Sequence, residues 1–145
     1  DLMPEMSALE VTDKVCNYMD QKAPNFICLN YANPDMVGHT GVPEAIISAC
    51  ETVDECLKKV VEKGKQIGYS FIVIADHGNA DIMYNDDGTP HTAHSVNLVP
   101  IVVVDEQVNK VENGILADIA PTILQLMEVE KPTEMTGTSL AVLSN

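Results

Sequence analysis

Apolar residues fall in blocks whose period alternates along the chain. Val11, Val15 and Met19 recur every four residues, which predicts a helix from Ser7 to Asp20. Ser7-Ala8-Leu9-Glu10 has the form of a capping box at its start. Lys22-Ala23-Pro24-Asn25 breaks the helix, and Phe26-Ile27-Cys28-Leu29-Asn30 predicts a short buried strand. Residues 31–41, rich in Asn, Pro and Gly, predict a loop. Pro43-Glu44 suits a helical first turn. Ile46, Cys50, Val53, Leu57 and Val60 then mark one face of a long helix that Gly64 or Gly68 ends. Ser70–Ala75 predicts a second strand and Val99–Val104 a third, with Pro100 near its start. The stretch between them is polar. Asp118 is placed to cap a last helix through Ile123 and Met127, and the tail from Pro132 is turn-rich.

Continuous apolar strands among helices predict an α/β fold: a mostly parallel sheet with helices on both faces. Three strands are few beside the usual five or six or so. The chain also starts at Asp1-Leu2-Met3-Pro4 rather than at a Met. Both features suggest part of a longer polypeptide, although 145 residues suffice for one domain with a core.

Composition narrows the function. Eight Lys and Arg against 22 Asp and Glu leave a formal net charge of −14, which argues against nucleic acid and anionic membranes as partners. No apolar run approaches the ~20 residues of a membrane span. The N-terminus lacks a basic-then-apolar signal segment, so a cytoplasmic location is expected. Cys16, Cys28, Cys50 and Cys56 form no Cys-x-x-Cys pair, and three of them sit in apolar patterns; buried, reduced thiols are expected.

The histidines carry more information than the charge. His39 follows the first predicted strand, with Asp35 four residues before it. Asp76-His77 follows the second strand, and His91 and His94 lie in the loop before the third. In open α/β sheets, ligands gather beyond the carboxyl ends of strands. Imidazole and carboxylate together suit zinc, manganese or iron-type ions. Each pair alone also suits a turn or a capped loop; their collection at strand ends favours a metal site. So many ligands leave room for two ions, as in two-metal phosphoryl transfer. No serine stands out as a nucleophile, and few Lys or Arg lie near these loops, so the site reads as half of a site.

The motifs that carry these residues resemble a known family. They are Asp1-Leu2-Met3-Pro4-Glu5-Met6-Ser7, Asn33-Pro34-Asp35-Met36-Val37-Gly38-His39-Thr40-Gly41, Ala75-Asp76-His77-Gly78-Asn79-Ala80, His91-Thr92-Ala93-His94, Asp118-Ile119-Ala120-Pro121-Thr122 and Met135-Thr136-Gly137. Nearly the whole chain resembles the C-terminal part of the 2,3-bisphosphoglycerate-independent phosphoglycerate mutases, of the alkaline phosphatase superfamily. The resemblance implies that residues 1–145 are the C-terminal portion of a metal-binding catalytic domain. It implies two manganese ions, with zinc as an alternative: Asp35, His39 and His94 on one, Asp76 and His77 on the other. His91 falls to a supporting or loop role. Asp81, where many relatives carry Glu, touches no implied role.

The implied activity is interconversion of 3- and 2-phosphoglycerate in glycolysis through a phosphoserine. The nucleophilic serine and the basic residues that hold substrate belong to earlier segments of the family. This piece alone is therefore expected to be inactive, and the full-length enzyme to be a monomer acting on a small molecule. A phosphopentomutase or phosphatase would share the metal frame. A non-catalytic α/β module with structural histidines is the alternative of another class.

Overall fold

The computed structural model describes residues 2–144. Asp1, which opens the first motif quoted above, lies outside the described residues. Two compact units are present. The first runs through Gly68 and resumes over His77–Leu98; the second comprises Tyr69–Asp76 and the chain from Val99 on.

The first unit is helical. α1 (Ala8–Lys22) forms where its period predicts and ends at Ala23 in a left-handed conformation, whose N–H returns to the Met19 carbonyl. The capping box does not form. Ser7 sits at φ −100°, ψ 11°, outside the extended region from which a cap side chain reaches forward, and makes no side-chain cap. Glu10 pairs with Lys14 at 2.6 Å instead. Ala8, Thr12 and Met19 are the buried positions of α1. Thr12 Oγ1 donates to the Ala8 carbonyl at 2.7 Å and lies 2.6 Å from the Tyr31 hydroxyl, so this buried polar side chain is satisfied.

The stretch predicted as a loop contains a short helix, α2 (Asn33–Gly38), with Pro34 in its first turn. Asn33 is 3% exposed, and its amide donates to the Pro4 and Glu5 carbonyls at 2.9 Å each. The loop-like composition is real, but Pro is welcome in a first helical turn. A buried Asn then finds its acceptors far away in sequence.

α3 (Pro43–Gln66) is the long helix, with Gly68 at φ 86° just beyond its end. Its buried positions are Ala45, Ile46, Ala49, Cys56, Val60 and Gly64. The buried stripe is thus rotated from the one its large apolar residues suggest, and Cys50 is exposed. Small side chains at 45, 49 and 64 permit close helix packing, and the pattern of large apolar residues does not register them. Val37, Ala45, Ile46 and Ala49 form the core between α2 and α3, with Val42, Ala80 and Met83 against it. The thiols depart from expectation in burial: all four are free, Cys56 is buried, Cys16 half-buried, and Cys28 and Cys50 exposed.

The second unit carries the strands. β1 (Phe71–Ile74) pairs antiparallel with β2 (Ile101–Val104), Phe71 opposite Val104. β3 (Val108–Val111) pairs antiparallel with β4 (Ala141–Leu143). These last two strands were not foreseen. The ladders among the described residues are antiparallel, whereas a parallel sheet was expected. The reason is connectivity: the chain between β1 and β2 carries no helix, and a parallel return requires a crossover, usually helical. Residues 26–30 lie outside any strand among the described residues.

A 3-10 turn (Leu116–Asp118) leads into α4 (Ile119–Leu126). Asp118 does not cap α4 as expected. Its two carboxylate oxygens accept the Ile115 and Thr138 N–H groups at 2.9 and 2.8 Å. These backbone donors hold the carboxyl below its ordinary pKa. Gly137 serves this closure, because a Cβ there would stand 2.2 Å from the Ala117 carbonyl oxygen.

Candidate metal centre

Asp35 sits in the first turn of α2 and His39 caps its end. One helical turn separates them, so both side chains reach the same side. The Asp35 carboxylate is the hub: its Oδ1 lies 3.2 Å from His39 Nε2 and 3.1 Å from His94 Nε2. His77 Nδ1 lies 4.0 Å from the same oxygen. The His77 and His94 rings stack with centroids 3.8 Å apart, and the His39 ring is 5.1 Å from that of His94. Two segments distant in sequence, 35–39 and 77–94, are thus brought to one point. Asp35, His39 and His94 form the one set of three potential metal ligands converging among the described residues. Asp76 belongs to the second unit and is not part of that set.

The surroundings prepare these side chains. His39 Nδ1 lies 2.7 Å from the Thr92 carbonyl oxygen, which can only accept. Nδ1 is therefore the donor to that carbonyl, and Nε2 is the ring nitrogen on the Asp35 side. A polar partner of Asp35 was not foreseen: Asn79 Nδ2 donates to Oδ1 at 3.0 Å. Asn79 is only 6% exposed. It fits because residue 38 is glycine; a Cβ there would lie 1.8 Å from the Asn79 side-chain oxygen. The sequence hint was Asn79 itself, two residues after a candidate ligand, but amides are not metal-ligand types and drew no attention.

His91 takes no part in the cluster. Its Nδ1 lies 2.7 Å from Asn85 Oδ1, within a turn where Asp87 accepts the Thr89 N–H and hydroxyl. Gly41, at φ 66°, packs against that loop; a Cβ there would lie 2.8 Å from the Pro90 Cβ. Asp81 has a structural partner set of its own. The Asn97 amide, and then the Ser95 hydroxyl, hold its carboxyl below the ordinary range.

The three donor atoms lie within 4.8 Å of one another, close enough for one divalent ion to reach. Bonds of ~2.0–2.2 Å in a tetrahedral shell put neighbouring ligand atoms roughly 3.3–3.6 Å apart, and octahedral neighbours fall slightly closer. The observed 3.1 and 3.2 Å lie at that scale. The side chains of Asp35, His39 and His94 are 33%, 42% and 48% exposed, which leaves the cluster open to ions and small solutes.

One carboxylate among imidazoles, with Asp35 held by Asn79 and His39 by Thr92, is a donor set that suits a divalent metal. The chain belongs to the Metalloenzyme superfamily, whose family model matches residues 1–131. Within that class its similarity is particular. It is 54% identical over 140 residues to the 2,3-bisphosphoglycerate-independent phosphoglycerate mutase of Flavobacterium johnsoniae, and 55% identical over 141 residues to that of Parabacteroides distasonis. Each alignment covers 97% of this chain and 28% of the relative, so the chain spans under a third of these relatives' length. A crystal structure of Leishmania mexicana phosphoglycerate mutase at low cobalt concentration superimposes with a TM-score of 0.86 at 29% identity, over 97% of this chain and 29% of that one. The fold is thus the α/β fold of that superfamily. No helix among the described residues is long and apolar enough to cross a membrane.

Proposed function

We propose that this chain is the metal-binding portion of a cofactor-independent phosphoglycerate mutase, and that the full-length protein interconverts 3- and 2-phosphoglycerate. The observation that carries the reading is the convergence of Asp35, His39 and His94 in a chain similar to these mutases along nearly its whole length. Asp35 Oδ1, His39 Nε2 and His94 Nε2 would hold one ion. Asp76 and His77 would belong to a second; the stacking of His77 on His94 supports its place at the centre. Manganese is the favoured ion and zinc the alternative. Such ions would neutralise charge on a transferring phosphoryl group and acidify an attacking hydroxyl.

This chain's residues have the positioning tasks. Thr92 fixes the tautomer of His39, so that its lone pair faces the centre. Asn79 holds Asp35 by one oxygen, fixing the direction in which the carboxylate presents its remaining lone pairs. The wider sheet of the superfamily, parallel and covered on both faces, is proposed for the whole domain, of which residues 1–145 are a portion. The activity is proposed to lie in the cytoplasm, with a monomeric enzyme acting on a small phosphorylated acid.

His94→Ala in the full-length protein tests the assignment. Mutase turnover on 3-phosphoglycerate should be abolished, and near-normal turnover would overturn the ligand role. Parallel assays of the wild type on phosphopentoses distinguish a pentose-phosphate enzyme that uses the same metal frame.

A further inference from the structure

We infer that Asp81 is a positioning residue for the metal centre: through Ser95 and Asn97 it fixes the segment that presents His94. The inference rests on the metal-centre reading above. Asp81 Oδ2 accepts the Ser95 hydroxyl at 2.8 Å and the Asn97 amide at 2.6 Å. Its Oδ1 is 3.1 Å from the same hydroxyl. The Ser95 N–H donates to the Gly78 carbonyl at 2.8 Å. Ser95 is therefore held by both backbone and side chain, and His94 is its covalent neighbour. Gly78, the other anchor, directly follows His77. The same fastening thus governs both stacked rings.

Apolar burial does not hold this segment. Val96 and Leu98 are fully exposed, at 101% and 100%. With no hydrophobic anchor at 96 and 98, polar contacts hold 94–97: Asp35 and the His77 ring meet His94, while Asp81 and Gly78 fasten Ser95 and Asn97. The approach is close enough to dictate residue type: a Cβ at position 78 would lie 2.1 Å from Ser95 Oγ and 2.8 Å from Asp81 Oδ1. Partners that orient metal ligands without touching the ion commonly change affinity by about 10–100-fold when removed. Here the action runs through a hydroxyl and one peptide unit, so the low end of that range applies.

The test is titration of the full-length protein, of which this chain is a portion, with Co2+, followed by calorimetry and by the visible absorption of bound Co2+, which reports ligand geometry. Asp81→Ala and Ser95→Ala should each weaken binding by about tenfold and alter the absorption. Ser95→Thr, which keeps the hydroxyl, should restore both. The thermal midpoint of the metal-free protein should not move in any of the three. Wild-type affinity and spectrum in Asp81→Ala would overturn the inference. So would a Ser95→Thr variant as weak as Ser95→Ala, or a loss of affinity matched by a fall in the metal-free midpoint, which would make the contact merely structural. His94→Ala in the full-length protein is the control: if it binds Co2+ as well as the full-length wild type, or if the full-length wild type does not bind, the metal-centre reading itself fails.

Discussion

The two units are held together by different means. The first centres on an apolar cluster, Val37, Ala45, Ile46 and Ala49 between α2 and α3, with the buried polar side chains of Thr12, Asn33 and Asn79 outside it. The interior of the second is organised by side chains that satisfy backbone groups. Asp118 accepts from Ile115 and Thr138, and the fully buried Thr122 donates to the Asp118 carbonyl while accepting the Leu140 N–H at 2.9 Å. All four histidines lie in the first unit. The difference teaches where a metal centre can be supported. Ligands on loops need a rigid floor, and α2 stands on an apolar one, so that the Asp35–His39 turn is fixed by burial of Val37 and Gly38 beneath it.

The strongest way to break this contrast is Ile46→Ala. Ile46 is 2% exposed, and truncation should cost about 2–5 kcal/mol in chemical denaturation followed by helical circular dichroism. Because the floor of α2 is lost, Co2+ affinity should fall with it. In the second unit the comparable lesion is polar. Thr122→Val keeps shape but leaves the Leu140 N–H without its acceptor, at a cost of about 1–3 kcal/mol. Retention of full stability there would show that hydrogen bonding is not what holds the unit.

Acid separates the units in another way. The Asp118 carboxyl has its pKa lowered by the Ile115 and Thr138 N–H groups. A depressed folded-state pKa means that its stabilisation is complete above the ordinary carboxylate value of about 4 and disappears as pH falls through the lowered one. Amide protection of Ile115 and Thr138 should therefore collapse in that window. Asp118→Asn should weaken it at all pH values and abolish the acid step.

Smaller effects sharpen the site. Asn79→Ala frees Asp35 from its buried donor and should weaken Co2+ binding by about tenfold, measured by calorimetry. Smallest of all is Lys63→Met. Lys63 pairs with Asp20 at 2.7 Å between α3 and α1, but the two side chains are 30% and 48% exposed, so the loss should be below about 1 kcal/mol. A larger loss would show that the helix pair depends on charge rather than on its apolar stripe.

Much of this was legible in the residues. The period of Val11, Val15 and Met19 and the long face from Ile46 to Val60 gave α1 and α3 close to their true bounds. The placement of histidines after strand-like runs singled out Asp35, His39, Asp76, His77, His91 and His94, of which the cluster gathers Asp35, His39, His77 and His94. The direction of strand pairing was not legible, because continuous apolar runs suggest parallel strands but do not show how the chain returns between them, and the described ladders are antiparallel. Nor was the short helix α2, whose Asn-Pro start reads as a turn until the distant carbonyls of Pro4 and Glu5 are supplied.

Local pattern determined what a few neighbouring residues decide among themselves: helical period, helix ends and the spacing of Asp35 to His39 on one turn. Tertiary structure decided what depends on partners far away in sequence. It set the rotation of α3 toward its small residues, because only close packing reveals which face has room. It gave Asn79 and Asp81 their tasks, because an amide or a carboxylate acquires a role only when folding brings its partner within hydrogen-bond reach.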